Sequence, residues 1–207
     1  MIDKLQFISN QTKDLSHLDS IQIALDAGCR WIQLRVKNQS FEDVLKLAEK
    51  VKTVCDNYQA KLIINDFPFI AREVGAYGLH LGLNDMPISS ARKIVGNEMV
   101  IGGTANTLEN ILDRIKESAD YVGLGPFRFT STKQNLSPIL GLGGYRNISE
   151  SLKKLKHSIP VIAIGGIGQE DISQILETGM YGVAVSGSIL NAENPKNLVY
   201  KINKVLC

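Results

Sequence analysis

The stretch "TGMYGVAVSG", residues 178–187, closes a helical pattern with small residues and then enters a short apolar strand. Three earlier stretches repeat this design, namely "DAGCRWIQLR" (26–35), "VGAYGLHLG" (74–82) and "SADYVGLGP" (118–126). These three occupy the second, fourth and sixth strand positions along the chain, and residues 178–187 occupy the eighth. The internal echo therefore indicates a chain assembled from repeated strand–helix units.

The same alternation of short β-rich runs and amphipathic helical patterns extends along the whole chain. Several of the runs are mostly apolar rather than alternating, which is typical of parallel strands covered on both faces. The predicted strands are 5–8, 31–34, 62–64, 79–81, 100–102, 121–124, 161–164 and 183–186. Eight strand–helix units in one chain predict an α/β fold that closes into a (β/α)₈ TIM barrel. An open doubly wound sheet is the alternative, but eight strands are many for it.

No linker, shift in composition or low-complexity segment divides the 207 residues, so residues 1–207 are predicted to form a single TIM-barrel domain. The net charge of +2 predicts no binding to nucleic acid. There is no apolar run of membrane-spanning length and no export signal, which predicts a cytoplasmic protein without membrane contact. Three cysteines without a metal or redox spacing fit reduced thiols, with Cys29 and Cys55 as small apolar fillers.

Two cations follow the second predicted strand, in the segment "QLRVK". Gln33, Arg35 and Lys37 share the same parity, so an extended chain points their side chains in one direction. The functional residues of a TIM barrel lie at the carboxyl ends of its strands. Two cations at that place suit a phosphate or diphosphate group.

Two carboxylates follow the third and fourth predicted strands. Asn65 and Asp66 end the segment "IIND", and Asp85 lies in "HLGLND". As single residues, Asn65 and Asp66 fit helix N-caps ahead of Pro68. Beside a cationic patch, however, Asp66 and Asp85 form a pair suited to Mg²⁺, which takes one or two carboxylates and substrate phosphate oxygens.

Small and hydroxylated residues follow the later strands. "IGGTANT" supplies Thr104, and "GPFRFTSTK" places three hydroxyls and an ammonium in the run 130–133. "AIGGIG" (163–168) and "VSGS" (185–188) have the place and composition of a backbone phosphate site after strands seven and eight. The residues after strands two to six thus predict one anion site, which is cationic and metal-assisted. The glycine-rich residues after strands seven and eight predict a second anion site, suited to a monophosphate.

Other polar residues receive structural interpretations. Asn106 with Glu109 resembles a capping box at the start of a helix. His17 and His157 are predicted at the surface, and His80 is predicted to be packed or hydrogen-bonded rather than catalytic.

Taken together, these motifs resemble the thiamine phosphate synthase family, also called thiamine-phosphate pyrophosphorylase. The matching stretches, in the family's order, are "QLRVK", "IIND", "GLHLGLND", "GGTANT", "DYVGLGPFRFTSTK", "IAIGGI" and "SGS". The resemblance implies a transferase that couples 4-amino-2-methyl-5-hydroxymethylpyrimidine diphosphate to a thiazole phosphate, releasing pyrophosphate. It implies Mg²⁺ as cofactor and two phosphorylated small molecules as partners, and it leaves the oligomeric state open, a homo-oligomer included.

The resemblance also assigns roles to single residues. It places the metal on Asp66 and Asp85, and it gives the catalytic cations as Arg35, Lys37 and Lys133. The implied pyrimidine diphosphate site comprises Gln33, Arg35, Lys37, Asn65, Thr104 and Lys133. The implied thiazole phosphate site comprises Thr130, Ser131, Thr132, Gly166, Ser186 and Gly187.

The chain departs from the family pattern at three positions. Val36 stands where the family commonly has Glu, and Ser131 and Asn84 stand where it commonly has acidic residues. The residues after Lys133, 134–145, form a longer loop than the minimal pattern and would suit a lid over the site. Two rivals share the barrel: a thiazole tautomerase, which needs no metal pair, and a catalytically silent barrel that binds a phosphorylated ligand.

Overall fold

The computed structural model describes residues 2–129 and 138–207. Eight parallel strands pair in sequence order, and the eighth pairs with the first, so the sheet closes into a barrel. The strands are β1 (Leu5–Ile8), β2 (Trp31–Leu34), β3 (Lys61–Asn65), β4 (Gly78–Leu81), β5 (Val100–Ala105), β6 (Tyr121–Leu124), β7 (Val161–Ile164) and β8 (Gly182–Val185). The predicted (β/α)₈ TIM barrel is thereby confirmed, and the open sheet is excluded.

Helices cover the outside of the barrel, one or more after each strand. They are α1 (His17–Ala27), α2 (Phe41–Asn57), α3 (Pro68–Glu73), α4 (Ile88–Val95), α5 (Leu108–Lys116), α6 (Gly141–Lys154), α7 (Ile172–Glu177), α8 (Gly187–Leu190) and α9 (Pro195–Leu206). A short 3₁₀ turn, Gln169–Asp171, precedes α7. Within the part of the chain that the structure describes, none of these helices is long and apolar enough to cross a membrane.

Two apolar layers hold the barrel together. The larger fills the space between the strands and the surrounding helices and includes the buried Cys29 and Cys55, as predicted. The smaller fills the barrel interior, where Trp31 packs edge-on against Tyr121 with ring centroids 5.1 Å apart. Because both faces of each strand are covered, the strands carry apolar side chains in succession rather than in alternation.

Two helix starts differ from the sequence interpretation. The N-cap of α5 is Thr107, whose hydroxyl accepts the Asn110 N–H, so the capping box predicted at Asn106 is wrong. The N-cap of α3 is Phe67, with Pro68 in the first turn, so neither Asn65 nor Asp66 is a cap. The side chains of all three residues are therefore available for other partners.

The segment 134–145, predicted as one long loop, differs in its second half. Gly141 begins α6, so residues 141–145 are helical and the loop ends earlier than predicted. Residues 134–137 lie outside the described residues, and closure of a lid stays a prediction.

Gly102 is the point where the barrel interior leaves no room for a side chain. A Cβ at this position would lie 2.1 Å from the ring of Tyr121. Gly102→Ala is expected to lower the free energy of unfolding by about 3 kcal/mol, because the buried ring has to move. Chemical denaturation monitored by circular dichroism measures the change.

Gly143 provides the matched control for this prediction. It lies in α6, and among the described residues a Cβ there meets nothing within 4 Å apart from its chain neighbours and the backbone of its own helix. Gly143→Ala is expected to raise the free energy of unfolding by about 0.5 kcal/mol, since alanine favours a helix. Equal effects of the two substitutions would show that crowding at Tyr121 is not the cause.

Candidate active site at the mouth of the barrel

A cavity of about 880 Å³ opens at the carboxyl ends of the strands. The structure brings ten of the predicted site residues to its walls: Gln33, Arg35, Lys37, Asn65, Asp66, Asp85, Thr104, Gly166, Ser186 and Gly187. The remaining four, Thr130, Ser131, Thr132 and Lys133, lie outside the described residues. Residues that extend from Gln33 to Gly187 in the sequence thus meet at one place, because the barrel brings its strand ends together.

The floor of the cavity carries a pair of buried amides. Gln33 on β2 and Asn65 at the end of β3 are joined by a hydrogen bond of 2.7 Å, from the Gln33 Nε2 to the Asn65 Oδ1. The Gln33 Oε1 is buried and has no hydrogen-bond partner among the described residues. A buried acceptor without a partner costs free energy unless a ligand donates to it. This side of the floor therefore suits a ligand with an N–H or O–H group.

The two cations that follow β2 have different surroundings. The Lys37 ammonium pairs with the Asp66 carboxylate, while about half of the Lys37 side chain is exposed. Arg35 is half-buried, and no carboxylate of the described residues lies within 4.0 Å of its guanidinium. Its backbone N–H donates to the Ser9 hydroxyl at 3.0 Å, which fixes the main chain where Arg35 enters the cavity. Of these two cations, Arg35 is therefore the one whose charge is not already offset by a carboxylate of the described residues, so it is the better placed to bind an anion.

The departure at Val36 has a structural explanation. Val36 is buried in the layer between strands and helices and is absent from the cavity wall. An apolar side chain there packs the core, and the chain gives up no contact with the cavity at this position.

Two carboxylates, Asp66 and Asp85, meet beside Lys37 and are hydrogen-bonded to each other. Burial, with the hydrogen bond from Asp85, raises the pKa of Asp66 to about 6 against the opposing effect of Lys37. Burial acts to raise the pKa of Asp85 too, but the hydrogen bonds from Asp66 and from the Gly82 N–H outweigh it and lower that pKa. The two carboxylates therefore oppose each other's ionisation, and a bound cation would relieve that repulsion.

The backbone holds this pair in place. Asp66 has a φ of 69°, in the left-handed region that most residues avoid, and its N–H donates to the His80 carbonyl at 2.9 Å. The Asp85 Oδ2 accepts the Gly82 N–H at 2.6 Å. No cluster of three or more potential protein ligands for a metal occurs in residues 2–129 and 138–207. A cation at this place would thus have two carboxylates and take its other ligands from water or substrate.

A chain of hydrogen bonds crosses the barrel beneath the cavity. The Gln6 Nε2 donates to the Tyr121 hydroxyl at 3.3 Å, and that hydroxyl lies 3.0 Å from the His80 Nδ1. The His80 Nε2 lies 3.1 Å from the Thr104 Oγ1, and Thr104 lines the cavity. His80 is therefore buried and hydrogen-bonded, as predicted. Burial raises the pKa of the Tyr121 hydroxyl, so this group keeps its proton and can act as a donor.

The opposite side of the cavity is a glycine-rich cradle, formed by Gly165, Gly166, Ser186, Gly187 and Ser188. Gly165 and Gly166 have φ values of 104° and 66°, which a side chain would strain. Ser186 and Ser188 flank Gly187, and both of their hydroxyl oxygens are buried without a hydrogen-bond partner among the described residues. Backbone N–H groups and unpaired hydroxyls in one place suit the oxygens of a phosphate.

Sequence reasoning missed several polar residues at or near the cavity, and three of them have defined partners. Arg128 lines it between β6 and the undescribed segment, and the side chain of Asn106 donates to the Gly125 carbonyl. His17 was predicted at the surface but is buried, with its Nδ1 2.9 Å from the Ser9 hydroxyl. Burial, and then the nearby Arg35, lowers the pKa of His17. Arg128 lies between two phenylalanines in the sequence. The one signal that could have found it is its positive charge within the segment "GPFRFTSTK".

A closed (β/α)₈ barrel with cations, paired carboxylates and a glycine-rich cradle at its mouth defines the class of TIM-barrel enzymes that hold anionic small molecules at their strand ends. A sequence model of the family described as thiamine monophosphate synthase matches residues 5–189. The chain belongs to this thiamine monophosphate synthase family, and it is a transferase.

Individual relatives agree with this placement. The thiamine-phosphate synthase of Flavobacterium psychrophilum is 50% identical over 206 residues, which cover 100% of both chains. That of Flavobacterium johnsoniae is also 50% identical, over 100% of this chain and 97% of the relative. The solved structure of thiamine phosphate pyrophosphorylase from Pyrococcus furiosus is 31% identical and superposes with a TM-score of 0.83, covering 98% of this chain and 95% of that one.

Proposed function

We propose that the chain couples 4-amino-2-methyl-5-hydroxymethylpyrimidine diphosphate to hydroxyethylthiazole phosphate, yielding thiamine phosphate and pyrophosphate. The observation that carries the proposal is the meeting, in one cavity, of Arg35, Lys37 and two carboxylates on one side with the glycine-rich cradle on the other. Two separate anion sites in one cavity suit a reaction between two phosphorylated molecules. The identity of the family's relatives supports the same reaction.

On the diphosphate side, Arg35 supplies a guanidinium without a carboxylate partner among the described residues, and Lys37 adds a second cation. Such groups stabilise the negative charge that develops on the leaving pyrophosphate. Gln33, Asn65 and Thr104 provide the polar floor on which the pyrimidine end lies. Lys133 is proposed, from the sequence alone, to contact the same diphosphate.

Asp66 and Asp85 are the residues that would hold Mg²⁺. They fit the ion because they are neighbouring carboxylates on the cavity wall, and because a hard cation prefers oxygen ligands. When bound, Mg²⁺ supplies charge stabilisation to the phosphate oxygens of the leaving group.

On the thiazole side, Gly166, Gly187 and the Ser186 hydroxyl would receive the monophosphate. Thr130, Ser131 and Thr132 are proposed to join them, on the basis of the sequence. Holding the thiazole by its phosphate leaves its ring nitrogen free to attack the pyrimidine's methylene carbon. The carbon–oxygen bond to pyrophosphate breaks, and the electron-rich aminopyrimidine stabilises the cation formed in this dissociative substitution. The protein's task is therefore positioning and charge stabilisation rather than nucleophilic catalysis.

One assay tests the proposal against its rivals. The protein is mixed with both substrates and Mg²⁺, and thiamine phosphate and pyrophosphate are measured together. Formation of both products in equal amounts is expected. Isomerisation of a thiazole phosphate without coupling would indicate the tautomerase instead, and binding of both substrates without product would indicate a silent barrel.

Mg²⁺ is expected to stabilise the protein in the absence of substrates. It relieves the repulsion between Asp66 and Asp85, so a concentration about tenfold above its Kd should raise Tm by about 4 °C. Differential scanning fluorimetry measures the shift, with NaCl at matched ionic strength as the salt control. The same rise in Tm in the Asp66→Asn/Asp85→Asn double variant would place the ion elsewhere.

A further inference from the structure

We infer that Arg128 is a further binding residue for the monophosphate of the second substrate, and that Asp171 is the positioning residue that orients it. The inference rests on the proposed function, since it adds a guanidinium to the thiazole phosphate side of the cavity. Neither residue is among the site residues that the sequence analysis assigns, although Arg128 lies within the segment "GPFRFTSTK".

The ion pair between Arg128 and Asp171 joins two loops of the cavity. The Arg128 Nη2 donates to the Asp171 Oδ1 at 2.6 Å. The other oxygen of the same carboxylate, Oδ2, accepts the Gly168 N–H at 2.8 Å. The Asp171 side chain is only 10% exposed, whereas that of Arg128 is 48% exposed. A buried carboxylate thus ties the guanidinium to the loop that follows β7.

The main chain places Arg128 directly against the glycine cradle. Its backbone N–H donates to the Gly165 carbonyl at 3.1 Å, and the Phe127 N–H donates to the Ile164 carbonyl at 2.8 Å. A Cβ at Gly166 would lie 2.5 Å from the Arg128 Cγ. The aliphatic part of Arg128 therefore lies on Gly166, and the missing side chain of Gly166 is what makes the space for it.

The guanidinium keeps donors for a ligand. Arg has five N–H donors in a planar fork, and Asp171 takes one of them within the described residues. Arg128 lines the same cavity as Gly166 and Ser186, whose hydroxyl is buried without a partner among the described residues. A phosphate seated in the cradle would receive backbone N–H groups, a hydroxyl and the guanidinium fork, which matches phosphate geometry.

The competing interpretation is a purely structural clip between the loops after β6 and β7. A clip stabilises the fold whether or not a phosphate is present. A binding residue, in contrast, changes the affinity for phosphate and leaves the affinity for pyrophosphate unchanged. The two interpretations are therefore separated by comparing the two ligands in one variant.

The experiment is a calorimetric titration of inorganic phosphate, and then of hydroxyethylthiazole phosphate, into protein saturated with magnesium pyrophosphate. Pyrophosphate occupies the diphosphate side of the cavity, so the heat of the second titration measures phosphate binding at the glycine-rich cradle. Arg128→Gln is expected to raise the Kd for both added ligands about 30-fold, because a charge-assisted hydrogen bond is lost. The Kd for pyrophosphate, titrated separately, is expected to stay within twofold of wild type.

Four further variants keep the test informative. Arg128→Lys retains the charge and most of the stem, and is expected to fold and to recover part of the phosphate affinity. Asp171→Asn should raise the Kd for phosphate about fivefold. The double variant Arg128→Gln/Asp171→Asn should match Arg128→Gln alone, since Asp171 acts through Arg128. Arg72→Gln, an exposed arginine on α3, is the matched control and should change neither Kd.

Several results overturn the inference. One is an unchanged phosphate affinity in Arg128→Gln and Arg128→Lys, and another is a parallel loss of phosphate and pyrophosphate affinity, which a disturbed fold would cause. A third is the absence of phosphate binding by the wild-type protein. Because these titrations need no turnover, they are independent of the coupling assay. In the coupling assay itself, Arg128→Gln should raise the KM for the thiazole phosphate with little change in kcat. The KM for the unphosphorylated thiazole alcohol should not change in this variant.

Discussion

Replacing Asp85 by asparagine is expected to lower kcat/KM of the coupling reaction by about 10³-fold, which corresponds to about 4 kcal/mol of transition-state stabilisation. Asp85 lies against Asp66 on the diphosphate side of the cavity, where the proposed Mg²⁺ would face the leaving pyrophosphate. Asparagine retains an oxygen that can accept the Gly82 N–H, which the Asp85 Oδ2 accepts at 2.6 Å. The loop should therefore keep its conformation while the site loses a negative ligand.

Initial rates over a range of Mg²⁺ concentrations measure this effect. The variant should need more Mg²⁺ for half-maximal rate than the wild type does, because one of two carboxylates is gone. Asp113→Asn is the matched control, since Asp113 is exposed on α5 and pairs only with Lys116 among the described residues. Near-normal turnover in a folded Asp85→Asn protein would remove Asp85 from the metal site.

The barrel could be predicted from the sequence because its strands repeat one local pattern. Small residues end a helix and apolar residues follow, and the pattern recurs at every second strand. The strand ends were less predictable. β5 was predicted to end at Gly102 but continues to Ala105, so Thr104 lies within the strand. The pair Gly102–Gly103 signals a turn when taken alone, but pairing with β6 keeps the segment extended through Ala105.

The candidate site was predictable where a charged or polar residue directly follows a strand, as Arg35 and Asp66 do. It was not predictable where the position depends on a tertiary contact. His17 begins a helix and has the sequence surroundings of a surface residue, yet it is buried and hydrogen-bonded to Ser9 in the loop after β1. The partner of Arg128 lies 43 positions further along the chain, and no local pattern connects them. Pairings of this kind are set by barrel closure, which local propensity does not encode.

The difference between Arg35 and Lys37 leads to a second large expected effect. Both cations line the cavity after β2, but the Lys37 ammonium is already paired with Asp66 and about half of its side chain is exposed. Arg35 has no carboxylate partner among the described residues, and its backbone is held by Ser9. A half-buried guanidinium without a counter-ion attracts an anion more strongly than an exposed and compensated ammonium does. The two positions should therefore respond unequally to the same substitution.

Arg35→Gln is expected to lower kcat/KM by roughly 10²-fold to 10³-fold, because charge that develops on the leaving pyrophosphate loses its main cation. Lys37→Gln should cost roughly tenfold, since its charge is largely offset by Asp66. Arg35→Lys should recover little, because a lysine ammonium cannot reproduce the planar fork that binds two phosphate oxygens. Steady-state rates with both substrates, together with calorimetric pyrophosphate binding, give the comparison. If Lys37→Gln proved the more damaging, the pair with Asp66 would be the principal clamp on the diphosphate, and Arg35 would serve the packing around Ser9 and His17.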